Sequence, residues 1–310
     1  PAGALYALAG RLRRWRTTPQ RAGAPVICVG NLTAGGAGKT PTAIALLERL
    51  TTLGATPHAL TRGYGGRLTG PHRVDITRDT AADTGDEPLL LAAWAPVWVA
   101  RDRVAGARAA VTAGAGVLVM DDGFQNPSLV KDLSILVVDA EAGFGNGRLI
   151  PAGPLREPVA EGLARADLVV LVGGEAARAR ARARWPELAA RRPLAAEIAP
   201  LATGLDLSGM PVMAFAGIGR PEKFFATLEA MGARLVERVA FADHYAYPEA
   251  VLRRLVGTAR RRGALLVTTE KDAARLPPAW RREVMTLPVR LDLEHWGPVD
   301  AAIARLAARG

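Results

Sequence analysis

The sequence predicts an α/β fold, a mostly parallel sheet sandwiched by helices with a second, smaller α/β domain joined by a short extended linker. Three observations carry this. Short β-rich runs alternate with helical patterns along the chain. One apolar run feeds a Gly-rich loop that opens a helix. A Pro- and Gly-containing extended stretch from Ala195 to Leu207 separates a first series of such units from a second. The 310 residues are enough for one large domain or two ordinary ones.

The first segment, residues 1–24, reads as an amphipathic helix. Leu5, Leu8, Leu12 and Trp15 recur at helical spacing, and Arg11, Arg13, Arg14 and Arg16 crowd the same turns. Such a helix can lie on an anionic membrane or dock on the protein's own surface, and periodicity leaves both open. The basic residues follow the apolar ones, unlike a cleaved secretory signal. The sequence opens at Pro1 without methionine, which reads as a processed or shortened start.

Residues 25–200 form the first domain. Val26-Ile-Cys-Val-Gly30 is a buried strand, and Asn31-Leu-Thr-Ala-Gly-Gly-Ala-Gly38-Lys39-Thr40 is the loop that follows it. This order marks a P-loop NTPase-like fold whose loop N–H groups cradle the phosphates of ATP or GTP, with Lys39 on the β/γ oxygens and the Thr40 hydroxyl on Mg²⁺. Thr33 stands where the usual pattern opens with Gly. Pro41 suits a helix start, and Ile44, Leu46, Leu47 and Leu50 give that helix an apolar face before Gly54. Strands follow at Pro57 to Thr61, Val97 to Ala100, Val117 to Met120, Ile135 to Val138 and Leu168 to Val172. The second domain, residues 201–290, takes strands at Val212 to Ala216, Leu235 to Phe241 and Ala264 to Thr268, with helices starting at Pro221 and Pro248. Residues 291–310 hold a last helix, Val299 to Ala308, that returns to the first domain.

Composition narrows the function. The net charge of +10 implies acidic partners: nucleotides, nucleic acid or an anionic membrane. Nucleic acid is disfavoured, because no basic run is interleaved with aromatics, which are only 5% of residues. Part of the excess lies in the alternating Ala177–Arg184 stretch, read as a solvated helix. A single cysteine, Cys28, excludes a disulfide framework and a Cys-based zinc site. No apolar run reaches membrane-spanning length.

In sheets of this kind ligands sit beyond the carboxyl ends of strands, where most of the unusual polar clusters fall. Asp121 and Asp122 end an apolar run, as carboxylates that hold Mg²⁺ opposite a phosphate loop do, although a turn or helix cap is the plainer alternative. Gln125 can orient a water or a phosphate oxygen. Asp86, in Gly85-Asp86-Glu87-Pro88, reads from spacing as a helix cap. His244 is one of four histidines, and Asp243 beside it could fix its tautomer. The Gly- and Pro-rich stretch from Gly143 to Pro158 carries Arg148 and Arg156, either of which can clamp a phosphate or lie in solvent. Arg62 and Tyr64 follow another strand. Lys271 and Asp272, in Thr268-Thr-Glu-Lys-Asp272, can read a base or open a helix.

Taken in order over nearly the whole chain, VGNLTAGGAGKTP, TRGYGG, GDEP, DDGFQ, GFGNGRLIPAGPLREP, DHY and TTEKD resemble the tetraacyldisaccharide 4′-kinase family, enzymes of lipid A biosynthesis. The resemblance implies two α/β/α domains, ATP and Mg²⁺ as cofactors, and phosphorylation of the 4′-hydroxyl of tetraacyldisaccharide 1-phosphate to lipid IVA. It implies a place on the cytoplasmic face of a Gram-negative inner membrane, peripheral or anchored by an N-terminal helix, with no obligate protein partner. Motif by motif, Asp86 becomes the base with His244 assisting. Lys39 and Arg156 stabilise the transferring group, and Asp121 or Asp122 holds Mg²⁺ beside Thr40. Thr33, Ala34, Gly35, Gly36, Ala37, Gly38, Lys39, Thr40 and Gln125 bind the nucleotide. Asn126 stands where similar sequences often have histidine. The competing class is a P-loop NTPase switch or metallochaperone that hydrolyses nucleotide without a lipid substrate.

Overall fold

The computed structural model describes residues 2–201, 204 and 206–308, so Pro1, Ala202, Thr203, Leu205, Arg309 and Gly310 of the expected segments lie outside the described residues. Thirteen strands are described: β1 (Val26–Gly30), β2 (Pro57–Thr61), β3 (His72–Arg73), β4 (Val97–Val99), β5 (Val117–Asp121), β6 (Leu133–Asp139), β7 (Leu168–Val172), β8 (Leu194–Pro200), β9 (Pro211–Ala216), β10 (Arg234–Ala240), β11 (Leu265–Thr269), β12 (Met285–Leu287) and β13 (Val289–Leu293). They form a nine-stranded sheet in the order β13-β8-β7-β6-β1-β5-β2-β4-β3 and a four-stranded sheet in the order β10-β9-β11-β12. Every pairing is parallel except the two edge pairs, β13 with β8 and β3 with β4.

Helices cover both faces: α1 (Ala2–Arg16), α2 (Lys39–Thr52), α3 (Ala81–Thr84), α4 (Asp86–Leu91), α5 (Arg103–Thr112), α6 (Val159–Ala164), α7 (Glu175–Arg184), α8 (Pro186–Ala190), α9 (Pro221–Ala230), α10 (Glu249–Arg261), α11 (Glu270–Arg275) and α12 (Gly297–Ala307). Because strand side chains alternate, β1 sends Val26 and Cys28 into one core and Ile27 and Val29 into the other. Both faces of its neighbours are covered too, which is why β5 and β6 are buried at every residue. The smaller sheet is built the same way, with Val212, Ala214 and Ala216 on one side and Met213 and Phe215 on the other.

The structure differs from the sequence expectations in three places. The extended stretch after Ala195 is not all linker: β8 runs through Pro200 and pairs with β7. The return to the large sheet begins before the last helix, on β13, which pairs Val289 with Pro200. A short strand with period-two burial at a sheet edge carries little signal against a background this rich in alanine. The Ala/Arg helix α7 is not wholly solvated, because Arg178 is buried and its guanidinium meets Glu175 at 3.1 Å and Glu294 at 2.5 Å. Alternating arginines go round a helix, so one of them must face inward.

The middle of the large sheet positions the Gly-rich loop. β1 lies between β5 and β6, and the strand order runs outward from it in both directions, so the loop after Gly30 emerges at the switch point of the sheet. Gly30 is required there: a Cβ would lie 2.4 Å from the Phe124 Cβ and 3.1 Å from the Phe124 backbone N. Gly30→Ala is therefore expected to lower unfolding stability by about 1–3 kcal/mol, the usual range for overpacking, measurable by urea denaturation.

Candidate active site

Two clusters make the site. The first surrounds the loop. Gly38 has φ of 89°, a left-handed conformation that favours glycine, and starts α2 so that Lys39 and Thr40 are its first residues. Among the described residues, no acceptor meets the backbone N–H groups of Gly35, Gly36, Ala37 or Gly38, which leaves them open to an anion. The loop is braced from one side by the Gly- and Pro-rich stretch. Thr33 bridges Leu155, the Ala34 N–H donates to the Pro154 carbonyl at 2.8 Å, and the Arg156 N–H donates to Leu32 at 2.7 Å. This bracing places Arg156 at the loop, whereas Arg148 stays exposed.

The two aspartates after β5 separate. Asp121 is buried, and the Thr40 hydroxyl donates to its Oδ2 at 3.3 Å, while its Oδ1 is buried without any partner. Burial, with the negative charges of Glu87 and Asp122, outweighs Lys39 and pushes its carboxyl up to about 7. A buried, unpartnered carboxylate oxygen beside a hydroxyl, in a surplus of negative charge, suits a hard cation. No group of three or more His, Cys, Asp or Glu side chains placed to hold a metal ion by itself exists among the described residues. The oxygen donors of Asp121 and Thr40 fit a cation such as Mg²⁺ that takes few protein ligands. Asp122, at φ of 51°, turns the other way and accepts from Arg156 Nη1 at 2.9 Å with Lys39 Nζ 3.8 Å off. Gln125 is occupied by the framework: its amide donates to the Asn31 carbonyl at 2.8 Å and to Glu157 at 3.0 Å, and its Oε1 faces Arg156 at 3.4 Å. Its Oε1 faces Arg156, so it helps to hold that guanidinium at the loop.

The second cluster lies at the seam between the two sheets. Asp86 is not the N-cap of α4; Gly85 is, and Asp86 is one residue inside, its Oδ1 accepting the Glu87 N–H at 3.0 Å. Its Oδ2 is met by two groups from the smaller unit: Arg275 Nε at 2.9 Å and His244 Nδ1 at 3.3 Å. Burial drives this carboxyl up, but the opposing charges of Lys271, Arg275 and His244 prevail and hold it below the usual carboxylate range. Lys271 itself pairs with Glu87 at 2.6 Å. The expectation that Asp243 fixes His244 is corrected: Asp243 Oδ1 is 3.9 Å from Nε2, and the nearer carboxylate is Asp86. His244 has φ of 59° and packs its ring on Tyr64, centroids 5.6 Å apart, which brings TRGYGG into the same seam.

Spacing alone missed Arg275 and Glu87. Thr269 caps α11 by accepting the Asp272 N–H at 3.2 Å, and this helix start aims Lys271 and Arg275 across the seam. Thus the helix-opening alternative for Thr268–Asp272 describes the segment, and its chemistry is to hold the GDEP carboxylates. Buried Asp272 anchors it from behind, accepting from the Gly217 N–H at 2.9 Å and the Tyr247 hydroxyl at 2.5 Å.

The sequence profile of the tetraacyldisaccharide-1-P 4′-kinase family matches residues 1–307. The chain belongs to this family. A tetraacyldisaccharide 4′-kinase of Jannaschia sp. is 56% identical over 310 residues, covering 100% of this chain and 94% of the relative. Another from Rhodospirillum centenum is 57% identical, covering 99% and 90%. A crystal structure of LpxK from Aquifex aeolicus, described as an "apo" form in complex with ATP, superposes with a TM-score of 0.74 at 25% identity, covering 99% of this chain and 97% of that one. The 4′-kinase family is thus the frame for both clusters, and its members are phosphotransferases.

The seam carries a pH prediction. Because the folded Asp86 carboxyl lies below its unfolded value of about 3.9, its contribution to stability is complete above that value and is lost as pH falls through the folded one. Asp86→Asn removes one of the two carboxylates that meet the buried Arg275, Asp272 at 3.1 Å being the other, so it is expected to lose about 1–3 kcal/mol near neutrality. The gap to the unsubstituted protein should narrow below the ordinary aspartate range, as followed by urea denaturation across acid pH.

Proposed function

We propose that this chain transfers the γ-phosphoryl group of ATP to the 4′-hydroxyl of tetraacyldisaccharide 1-phosphate, with Asp86 as general base. The observation that carries the reading is the buried, ionised Asp86 held against His244 in the same site as an open phosphate loop. An attacking hydroxyl needs an acceptor for its proton, and a carboxylate kept charged beside an imidazole supplies one. His244 Nδ1–H donates to Asp86 Oδ2 and so orients the carboxylate toward the acceptor. Lys39 and Arg156, both gathered on Asp122 beside the loop, would offset the charge of the transferring group. Asp122 keeps both in place until nucleotide arrives. Thr40 and Asp121 would hold Mg²⁺, which supplies charge neutralisation at the phosphate oxygens. The smaller unit already brings His244 to within 3.3 Å of Asp86.

The N-terminal helix supports a membrane location. It faces the body through Gly3, Ala7, Gly10 and Arg14, with Arg14 bonded to Glu161 at 3.1 Å, while Leu5, Leu8, Leu12 and Trp15 stand in solvent, Trp15 at 82% exposure. The helix docks on the protein with its small residues, and the apolar stripe that it turns outward supports the membrane alternative. No helix among the described residues is long and apolar enough to cross a membrane. The stripe, flanked by Arg13 and Arg16, suits the interface of the anionic cytoplasmic leaflet of the inner membrane, where the glycolipid resides.

Transfer of labelled γ-phosphate from ATP to the lipid in detergent micelles tests the reaction. Asp86→Ala, shown to be folded, is expected to fall ~10²–10⁴-fold, in line with loss of a general base. Label found only as free phosphate in the unsubstituted protein would favour the nucleotide-hydrolysing switch. For the membrane, replacing Leu8 and Trp15 together by serine is expected to weaken sedimentation with phosphatidylglycerol vesicles at least ~10-fold, given about 1.5–3 kcal/mol per large apolar side chain. Equal binding by both proteins would remove the helix from the membrane.

A further inference from the structure

Asp139, the last residue of β6, has no part in the chemistry described above, yet it is buried and satisfied by an unusual set of donors. Its Oδ1 accepts the N–H groups of Glu141 at 2.9 Å and Ala142 at 3.0 Å, and Arg220 Nη1 at 3.2 Å. Its Oδ2 meets Arg220 Nη2 and, at 3.1 Å, Lys223 Nζ. Arg220 and Lys223 come from the start of α9 in the smaller unit, so this pair is a second bridge across the seam, separate from the one at Asp86. Arg220 does more than bridge. Its Nη2 also donates to the carbonyl of Gly36, in the middle of the phosphate loop, at 3.1 Å.

That contact falls where the loop has least support of its own. Gly36 is exposed, and an added Cβ there would meet nothing within 4 Å. For the N–H groups of Gly35 to Gly38 to converge on phosphates, the carbonyls between them must point away, and glycines hold no such arrangement without help. The Thr33–Leu155 bridge and the Ala34–Pro154 bond fix the near end of the loop, and α2 fixes the far end. Arg220 fixes the middle, and it is itself fixed by a two-pronged pair with Asp139.

We propose that Arg220 is a positioning residue for the phosphate loop: its fork, anchored on Asp139, holds the Gly36 carbonyl outward so that nucleotide affinity depends on the smaller unit. The proposal rests on the reading that this loop binds ATP. Lys223 is the internal control. It shares Asp139 with Arg220 and also pairs with Glu141 at 2.7 Å, but it makes no bond to the loop.

The test is ATP affinity by calorimetry, and KM for ATP and lipid with kcat, for full-length Arg220→Gln, Arg220→Lys and Lys223→Gln. Losing a charged hydrogen bond to the loop should weaken ATP binding and raise its KM ~10-fold, with the lipid KM within about twofold. Arg220→Lys, able to reach only one of the two acceptors, should fall between, and Lys223→Gln should leave ATP affinity within about twofold. The proposal is overturned if Arg220→Gln binds ATP normally, or if Arg220→Gln and Lys223→Gln raise both KM values alike, which is the behaviour of a plain clamp between the units. Lys39→Ala separates the two readings: normal ATP affinity in that variant would mean that the loop is not the nucleotide site at all.

Discussion

Asp86 is a buried carboxylate whose compensating charges arrive from residues 158 to 189 positions later in the chain. An isolated charge at that depth would be driven to its neutral form. Lys271, Arg275 and His244 make the charged form the stable one, and all three are carried by the smaller unit. The carboxylate and its partners are therefore one object divided between two sheets, and neither half is complete alone.

This division explains the placement of the other motifs. The large sheet offers groups suited to phosphates, an open row of N–H groups with Lys39 and Arg156, and in the unpartnered Asp121 oxygen one suited to a cation. The smaller unit offers the charges that hold Asp86 and, through Arg220, a contact to the middle of the loop. Contacts at two separate points, Asp86 and Asp139, resist rotation of one unit on the other better than either would alone. A site that must exclude water before phosphoryl transfer gains from being assembled in this way.

The central βα unit was plain in the sequence, because an all-apolar five-residue run, a Gly-rich turn and an apolar-faced helix leave few alternatives. The edges were not. Strands β12 and β13 are short, and β8 lies in a stretch whose Pro and Gly read as a linker. At the site, the residues of the phosphate loop could be named from order alone, since strand, loop and helix are contiguous. Arg275 and Arg220 could not, because their partners lie in the other half of the chain and a single arginine among 40 Lys and Arg has no signature. Asp86 is the intermediate case. Spacing put it at a helix start, which is where it is, but only the residues folded against it from afar separate a cap from a reactive carboxylate.

The central claim is that Arg275 keeps Asp86 ionised from across the seam. It is tested most directly by following the Asp86 carboxyl carbon by NMR in ¹³C-aspartate-labelled protein, assigned by its loss in Asp86→Asn, with and without Arg275→Ala. The expected titration midpoint lies below the ordinary aspartate range and rises when Arg275 is removed. A midpoint at or above that range in the unsubstituted protein, or one that Arg275→Ala leaves in place, would contradict it.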